Sequence, residues 1–321
     1  MTNKLIAGCL GVSLCAVTVV PAQADTTISI GQPSWQHAQI IAHVLGNIIE
    51  DEFGLSVDYV TGSTAVIFAA MDRGDGEIDV HPDLWIPAAA GIATEYVEDK
   101  KTVLVAEGPT SVSRIGYCIP QYVADEFGIS SLDQLADPTV AQLFDTDGDG
   151  KGEIWIGSNG WTTTLVEQVR ARDYGFDQTF ELLVMEEEIA WQRVNAAAVR
   201  QEPVVTNCNT PHWGFLAYDL LFLDEPPHDD ECFRSVTPND ASDWFEQSRI
   251  DCAWEEGSTR LAYTTTLEDR APDVVRLFEN FKPGADLISA WLLELQQGKA
   301  VEDLAAEWVR DNRDTVNQWL N

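Results

Sequence analysis

Basic residues are scarce in this chain. Its 321 residues include 19 lysines and arginines against 53 aspartates and glutamates, which gives a formal net charge of -34 at pH 7. Contacts to nucleic-acid phosphates need lysine and arginine, so this imbalance excludes a sequence-independent nucleic-acid binder. Such acidity keeps a protein soluble. It also attracts cationic ligands, whereas a zwitterion would feel little of that attraction.

Common enzyme signatures are missing as well. The chain has no G-x-S-x-G, no H-E-x-x-H and no G-x-x-x-x-G-K-S/T segment, and its five histidines lack metal-ligand spacing. We therefore expect no catalytic cofactor. After residue 24, no apolar run approaches the ~20 residues that are needed to span a bilayer. The mature chain is therefore not expected to cross a membrane.

The first 24 residues have the pattern of an export signal. Lys4 supplies a positive charge, residues 5–20 are apolar, and residues 21–24 offer the small side chains of an A-x-A cleavage site. We expect cleavage after Ala24 and a mature chain outside the cytoplasm. A lipid anchor on Cys9 is the alternative, although the apolar run before that cysteine is too short for an ordinary signal.

Four cysteines remain after the signal is removed: Cys118, Cys208, Cys232 and Cys252. An even number of cysteines in an exported chain favours two disulfides, for which three pairings exist. We prefer Cys232 with Cys252, which closes a local loop, and Cys118 with Cys208, since each lies in a strand-like segment. The alternative is that some of them are free, buried thiols.

Strands and helices alternate from residue 27 onward, which predicts an α/β protein with a parallel, doubly wound sheet. A long helix after the first strand, for example, has apolar residues in the 3-4 spacing of a buried face. A second α/β unit follows the first, and the order of the predicted elements indicates that the chain then returns to the first unit. We thus predict lobe 1 from residues 25–110 and 215–321, and lobe 2 from residues 111–214.

Two tryptophans follow predicted strands of this sheet. Trp35 comes after the first strand, and Trp85 comes after residues 78–80, a strand that we expect to end at Pro82 because proline cannot donate to a sheet ladder. A single tryptophan is more often part of a core. However, the carboxyl ends of parallel strands form the ligand edge of such sheets, so we predict that both rings face a cleft.

Six segments in succession resemble periplasmic binding proteins of ABC importers for glycine betaine and related quaternary amines: ISIGQPSW, GDGEIDVHPDLWIPA, RIGYCIPQYV, SSLDQLADP, IWIGSNGWTTT and EPVVTNCNTPHWGFLAYDLLFLDEP. The resemblance covers nearly all of the mature chain. It implies a type II periplasmic binding fold, in which two α/β lobes joined by two crossings hold a ligand in a box of aromatic rings. It also implies a monomeric, non-enzymatic protein whose closed form docks on a membrane permease.

Ring faces are suited to a methylated onium ligand. A trimethylammonium group has no N–H to donate, and each desolvated cation-π contact stabilises it by ~2 kcal/mol. The first candidates for the box are Trp35, Trp85, Trp161 and Trp213, and the weaker ones are Trp155 and Trp191.

A carboxylate on the ligand would be bound at Gly160 and Thr162, where a helix begins and free backbone N–H groups favour an anion. This segment also fits an ordinary helix start. His212 could donate a further hydrogen bond or simply pack. Relatives often have an aromatic residue where this chain has Asn209, so choline, trimethylamine N-oxide and dimethylsulfoniopropionate remain alternatives to glycine betaine. A carboxylate such as Asp83 near the rings would favour a ligand with net positive charge.

A second site is predicted in the acidic loop, which we define as residues 145–153. Its carboxylates stand at loop positions 1, 3, 5 and 9, and the backbone carbonyl at position 7 adds an oxygen, as in calcium loops. The residues concerned are Asp145, Asp147, Asp149, Glu153 and, at position 7, Lys151. No glutamate stands at position 12. We expect a structural Ca²⁺ here, and the alternative is a solvated acidic turn.

Two other functions fit parts of the sequence. An exported carbohydrate-active enzyme would also carry tryptophans, many carboxylates and calcium, but it needs two carboxylates facing each other across the cleft. A receptor that signals instead of transporting would share every feature of the site.

Overall fold

The computed structural model describes residues 27–321. The expected signal, its cleavage site after Ala24 and the alternative lipid anchor on Cys9 lie outside the described residues. Within residues 27–321, no helix combines the length and the apolar character that a membrane crossing requires.

The strands are β1 Thr27–Gln32, β2 Ser56–Thr61, β3 Val80–Ile86, β4 Val103–Val105, β5 Ser111–Pro120, β6 Gly152–Gly157, β7 Phe180–Val184, β8 Thr206–Thr210, β9 Leu220–Phe222, β10 Phe233–Arg234, β11 Arg249–Ile250 and β12 Gly257–Thr264.

The α-helices are α1 Gln36–Ile48, α2 Thr64–Met71, α3 Ala90–Ala93, α4 Gln121–Phe127, α5 Pro138–Ala141, α6 Thr162–Tyr174, α7 Glu187–Arg200, α8 Gly214–Ala217, α9 Trp244–Gln247, α10 Leu267–Arg270, α11 Pro272–Asn280, α12 Ala285–Gln296, α13 Val301–Asp311 and α14 Arg313–Leu320. Short π-helical segments cover Ile49–Phe53 and Thr94–Asp99, and 3-10 turns cover Leu132–Ala136 and Gln142–Phe144.

A ten-stranded sheet has the main order β2-β1-β3-β12-β5-β8-β6-β7, with β4 beside β12 and β9 beside β5. Two parallel groups, β2-β1-β3 and β8-β6-β7, lie on either side of β12 and β5, which run antiparallel to their neighbours. Each parallel group is built with the helices that follow its strands, as predicted from their alternation. The architecture is therefore mixed α/β, with two parallel groups joined through an antiparallel centre.

Strand β3 continues past Pro82, so the expectation that it ends there is wrong. Leu84 and Trp85 pair with Arg260 and Thr259 of β12, and the pairing register shifts next to Pro82. A bulge leaves a residue outside the regular ladder, which is why a proline without an N–H is tolerated at this point. As a result, Trp85 lies on the strand itself.

Both predicted disulfides are present. Cys118 of β5 is bonded to Cys208 of the adjacent β8, with 5.9 Å between their Cα atoms. Cys232 is bonded to Cys252, with 5.8 Å between their Cα atoms. The first disulfide joins neighbouring strands of the sheet, and the second closes a 20-residue excursion around β10 and β11.

The chain after β8 stays in contact with α6 over a long stretch. The backbone N–H of Ile250 donates to Asp173 at 2.6 Å, and the indole N–H of Trp254 donates to Glu167 at 2.7 Å. Only with β12 does the chain pair again with β3. The lobe boundaries at residues 110 and 214 stay predictions, and we propose to place the second crossing next to Gly257 because of these contacts.

Candidate functional site

One cavity collects side chains from the beginning of α1, the end of β3, the beginnings of α6 and α7, and the end of β8. Its empty space is about 950 Å³, including the open mouth. The structure brings all seven first-choice residues to its wall: Trp35, Trp85, Gly160, Trp161, Thr162, His212 and Trp213. Of the weaker candidates, Trp191 also lines the cavity and Trp155 does not.

A buried carboxylate orients the two rings that come from β1 and β3. Oδ2 of Asp83 accepts a hydrogen bond from Nε1 of Trp35 at 2.6 Å and another from Nε1 of Trp85 at 2.9 Å. The Asp83 side chain is 0% exposed, and its other oxygen, Oδ1, has no hydrogen-bond partner among the described residues. Asp83 and Trp85 stand two residues apart on one strand, so both point to the same face of the sheet.

The rings from the two parallel groups meet across the cavity. The ring centroids of Trp35 and Trp161 are 6.1 Å apart, and the planes are nearly perpendicular at 82°. Trp155 packs behind Trp161 with 5.5 Å between the centroids, and its indole N–H donates to the carbonyl of Met185 at 3.0 Å. We therefore correct the role of Trp155 to that of a packing residue, whose polar end is satisfied by the backbone.

His212, Trp191 and Trp213 form one wall of the cavity on the side of β8. The ring of His212 stacks on Trp191 with 4.0 Å between the centroids, and Trp213 lies 5.2 Å from Trp191. Nδ1 of His212 accepts a hydrogen bond from the backbone N–H of Gly214 at 3.0 Å. Burial lowers the pKa of His212 to about 3, so the ring is neutral and its Nε2 carries the proton.

Three acidic side chains line the same cavity: Asp83, Glu187 and Glu188. Glu187 is the first residue of α7, and its Oε1 lies 3.7 Å from Nε2 of His212. Burial, followed by the negative charges of Asp83 and its two glutamate neighbours, raises the pKa of Glu187 to about 8. His37 lies 3.5 Å from Asp83, but burial outweighs that carboxylate and lowers the pKa of His37.

Helix α6 points its first turn toward the cavity. Gly160 has a φ of 81°, a left-handed conformation that favours glycine, and it turns the chain into the helix. Trp161 stands at the N-cap and makes no side-chain cap hydrogen bond, so the first N–H groups of the helix remain available to a ligand. The hydroxyl of Thr162 donates to the carbonyl of Ala88 at 3.4 Å, which links the two walls of the cavity.

Reasoning from the sequence missed His37, Glu187 and Glu188 as cavity residues. A signal for Glu187 did exist, since it precedes Trp191 by four residues and thus shares its helix face. Asn209 also lines the cavity, and it pairs with Ile115 across β5 and β8. The position at which relatives often have a ring is therefore part of the cavity wall.

The acidic loop brings three of its four predicted carboxylates together. Asp145, Asp147 and Asp149 each offer a carboxylate oxygen, and these oxygens lie within 4.8 Å of one another. Glu153 does not join this group, because its carboxylate accepts hydrogen bonds from the backbone and the hydroxyl of Thr146. The backbone N–H of Lys151 donates to Asp149 at 2.8 Å. The roles of Glu153 and of the Lys151 carbonyl in a metal site stay predictions.

Comparison with known families gives one match across nearly the whole described chain. The family described as "Substrate binding domain of ABC-type glycine betaine transport system" (OpuAC) matches residues 26–311. Among curated relatives, the glycine betaine-binding periplasmic protein OusX of Dickeya dadantii is 26% identical over 284 residues, which is 83% of this chain and 78% of that protein.

Solved structures agree with this match in fold. An ABC-transporter choline-binding protein in complex with choline has a TM-score of 0.71 at 19% identity, covering 92% of this chain and 91% of that one. A glycine betaine, L-proline-binding protein (ProX) of Borrelia burgdorferi has a TM-score of 0.69 at 20% identity, with 92% and 97% covered. At these identities the likeness establishes the fold, and it confirms the predicted two-lobed periplasmic binding architecture.

Proposed function

We propose a transport function from the premise that the chain belongs to the family of substrate-binding domains of ABC-type glycine betaine transport systems. In this proposal, the protein captures a small methylated onium solute in the aromatic cavity and delivers it to an ABC importer. Members of the family are substrate-binding proteins and not enzymes, so the carbohydrate-active alternative is set aside.

The observation that carries the proposal is the pair of indoles held by one buried carboxylate. Asp83 accepts hydrogen bonds from the N–H groups of Trp35 and Trp85, and Trp161 packs edge-on against Trp35. A methylated cation placed among these rings would exchange its weak hydration for ring faces and a nearby negative charge, each contact contributing ~2 kcal/mol. Two or three such contacts would contribute about 4–6 kcal/mol and so offset a large part of the association cost.

The ligand is one of a small set with the same chemistry. Glycine betaine, choline, trimethylamine N-oxide and dimethylsulfoniopropionate each present methyl groups around a positive centre. The N-terminus of α6 supports recognition of a carboxylate or another polar end. The relatives named above are described as binding glycine betaine or choline, which supports this class.

Location and partners follow from the same proposal. We propose export by the signal that ends at Ala24, a monomeric protein in the periplasm, and docking on an ABC transporter permease. The periplasmic description of the curated relative supports this location. The acidic loop is proposed to hold a structural Ca²⁺ through Asp145, Asp147 and Asp149, because three carboxylates this close repel one another without a cation.

The test is isothermal titration of the mature protein, beginning at Asp25, with the four onium ligands in parallel. Saturable binding of one of them at micromolar concentration is the expected result. A folded protein that binds none of the four would overturn the proposal, and an oligosaccharide titration would then be the next measurement.

A further inference from the structure

The charged groups of the cavity are all of one sign. Its lining includes Asp83, Glu187 and Glu188, and no lysine or arginine is found among the described residues that line it. The two histidines in the wall do not change this balance. Burial lowers the pKa of His37 and that of His212, so both rings are neutral near pH 7. A ligand carboxylate would therefore meet acidic side chains, with only the N-terminus of α6 to favour it.

Glu187 has a carboxylate that the protein itself does not use. It makes no hydrogen bond of 3.5 Å or less with another described residue, and Nε2 of His212 lies beyond that range at 3.7 Å. The charged or titratable groups around it are Asp83 from β3, His37 from α1, His212 after β8, and Glu186 and Glu188 from its own helix. A carboxylate in this position is available to a ligand.

Unpartnered polar atoms line the same cavity as Glu187. Oδ1 of Asp83 and both ring nitrogens of His37 are buried and have no hydrogen-bond partner among residues 27–321. Buried polar groups are nearly always paired, so these atoms indicate a ligand group that pairs with them. A hydroxyl can donate to a carboxylate and accept from a ring N–H, whereas an ionised carboxylate can only accept.

We propose that Glu187 is a specificity residue that, together with Asp83, selects an onium ligand of net charge +1 with a neutral hydroxyl end, an amino alcohol of the choline class, over a zwitterion that carries a carboxylate. This inference rests on the proposed function and names its substrate class. The excess of acidic residues over the whole chain acts in the same direction, because it attracts a cation more strongly than a zwitterion.

The protonation state of Glu187 makes ligand affinity depend on pH, which allows the proposal to be tested. With a pKa of about 8 in the empty cavity, Glu187 is mostly protonated at pH 7. A bound cation favours the ionised form and lowers this pKa, so binding releases a proton and affinity for the cation rises with pH until about pH 8. The opposite arrangement is a protonated Glu187 that donates to a ligand carboxylate. In that case the affinity for a zwitterion falls as pH rises through the same range.

The experiment titrates choline and glycine betaine into the mature protein between pH 6 and 9, in two buffers with different ionisation enthalpies. We compare the wild type with Glu187→Gln and with Glu186→Gln. The control removes the same charge from an exposed neighbour at the start of the same helix. Thermal unfolding checks that all three proteins are folded.

We expect the wild type to bind choline at least tenfold more tightly than glycine betaine at pH 8, with proton release that accompanies choline binding. Glu187→Gln should weaken choline binding about tenfold, abolish the rise with pH and leave glycine betaine within about threefold, while Glu186→Gln resembles the wild type. Glycine betaine binding as tightly as choline, or an unchanged ratio in Glu187→Gln, overturns this inference alone. Binding of neither onium, nor of trimethylamine N-oxide or dimethylsulfoniopropionate, overturns the proposed function itself.

Discussion

Replacing Asp83 with asparagine separates the two roles of this buried side chain. Asparagine keeps the size of the side chain and one carbonyl oxygen, so the N–H groups of Trp35 and Trp85 still find an acceptor. The substitution removes the negative charge, which no lysine or arginine among the described residues pairs with. The fold should therefore survive, while the electrostatic contribution to binding is lost.

Coulomb's law gives the order of magnitude of the loss for a cation bound near Asp83. Two unit charges at roughly 6 Å and an effective dielectric constant of about 20 attract each other by about 3 kcal/mol. Hydrogen bonds to a charged acceptor contribute ~1.5–3 kcal/mol each, against ~0.5–1.5 kcal/mol for a neutral one, so the rings are also held less firmly. Since 1.4 kcal/mol corresponds to a tenfold change, Asp83→Asn should weaken onium binding by about 100-fold.

Isothermal titration with the best onium ligand measures this change, and thermal unfolding of the empty protein measures stability. We expect the melting temperature to stay the same or rise, because a buried charge without a basic partner is costly. Asp58→Asn is the matched control, since Asp58 is exposed on β2 outside the cavity. Affinity within threefold of the wild type in a folded Asp83→Asn protein would refute the role of this carboxylate.

Three further predictions concern the ring wall, the disulfides and the acidic loop. Trp161→Ala should lower onium affinity at least tenfold by titration, because one cation-π contact of ~2 kcal/mol is lost. Trp244→Ala at the beginning of α9 is the control and should leave the affinity unchanged. Equal losses of affinity in the two variants would remove Trp161 from the box. Replacing Cys118 and Cys208 with alanine opens the longer loop and should cost about 4–5 kcal/mol in the free energy of unfolding. The same change at Cys232 and Cys252 should cost about 3 kcal/mol, and a reversed order in denaturant titrations would contradict the loop-entropy argument. Chelation of Ca²⁺ should lower the melting temperature more than it lowers affinity, and an unchanged melting temperature would reduce the acidic loop to a solvated turn.

Local patterns in the sequence were enough to place Trp35 and Trp161 at the beginnings of helices that line the cavity, and their part in a ligand box stays a prediction. Trp35 follows β1 directly, and Trp161 precedes a helix with a glycine before it, so short-range order determines where both indoles lie. The carboxyl ends of parallel strands share an edge only within each group. Trp35 and Trp161 belong to different groups, so their meeting depends on how the antiparallel centre joins the two groups. The disulfide between Cys118 and Cys208 was predictable for a similar reason, because both residues lie in strand-like segments.

Long-range pairing was not predictable in the same way. The extension of β3 past Pro82 depends on β12, which lies more than 170 residues later in the chain. Proline excludes a regular ladder position, but a bulge at that point removes the conflict, and a bulge has no signature in the sequence of β3 alone. The packing role of Trp155 was also not predictable from local sequence, because only tertiary contacts place its ring behind Trp161.

The charges of the cavity show what the sequence leaves undetermined about the ligand. Glu187 belongs to a run of three glutamates that is typical of an exposed helix start, and only the fold brings two of them, Glu187 and Glu188, to the cavity wall. The histidines and aromatic rings around Glu187 exclude water, so ionising its carboxyl group costs free energy. A bound cation lowers this cost, and a ligand carboxylate raises it. On one wall, Asp83 holds the rings of Trp35 and Trp85 by hydrogen bonds. On the other wall, the rings pack on one another, and Glu187 makes no hydrogen bond to them. Asp83 therefore both orients the rings and contributes negative charge, whereas Glu187 acts on the ligand through its charge alone.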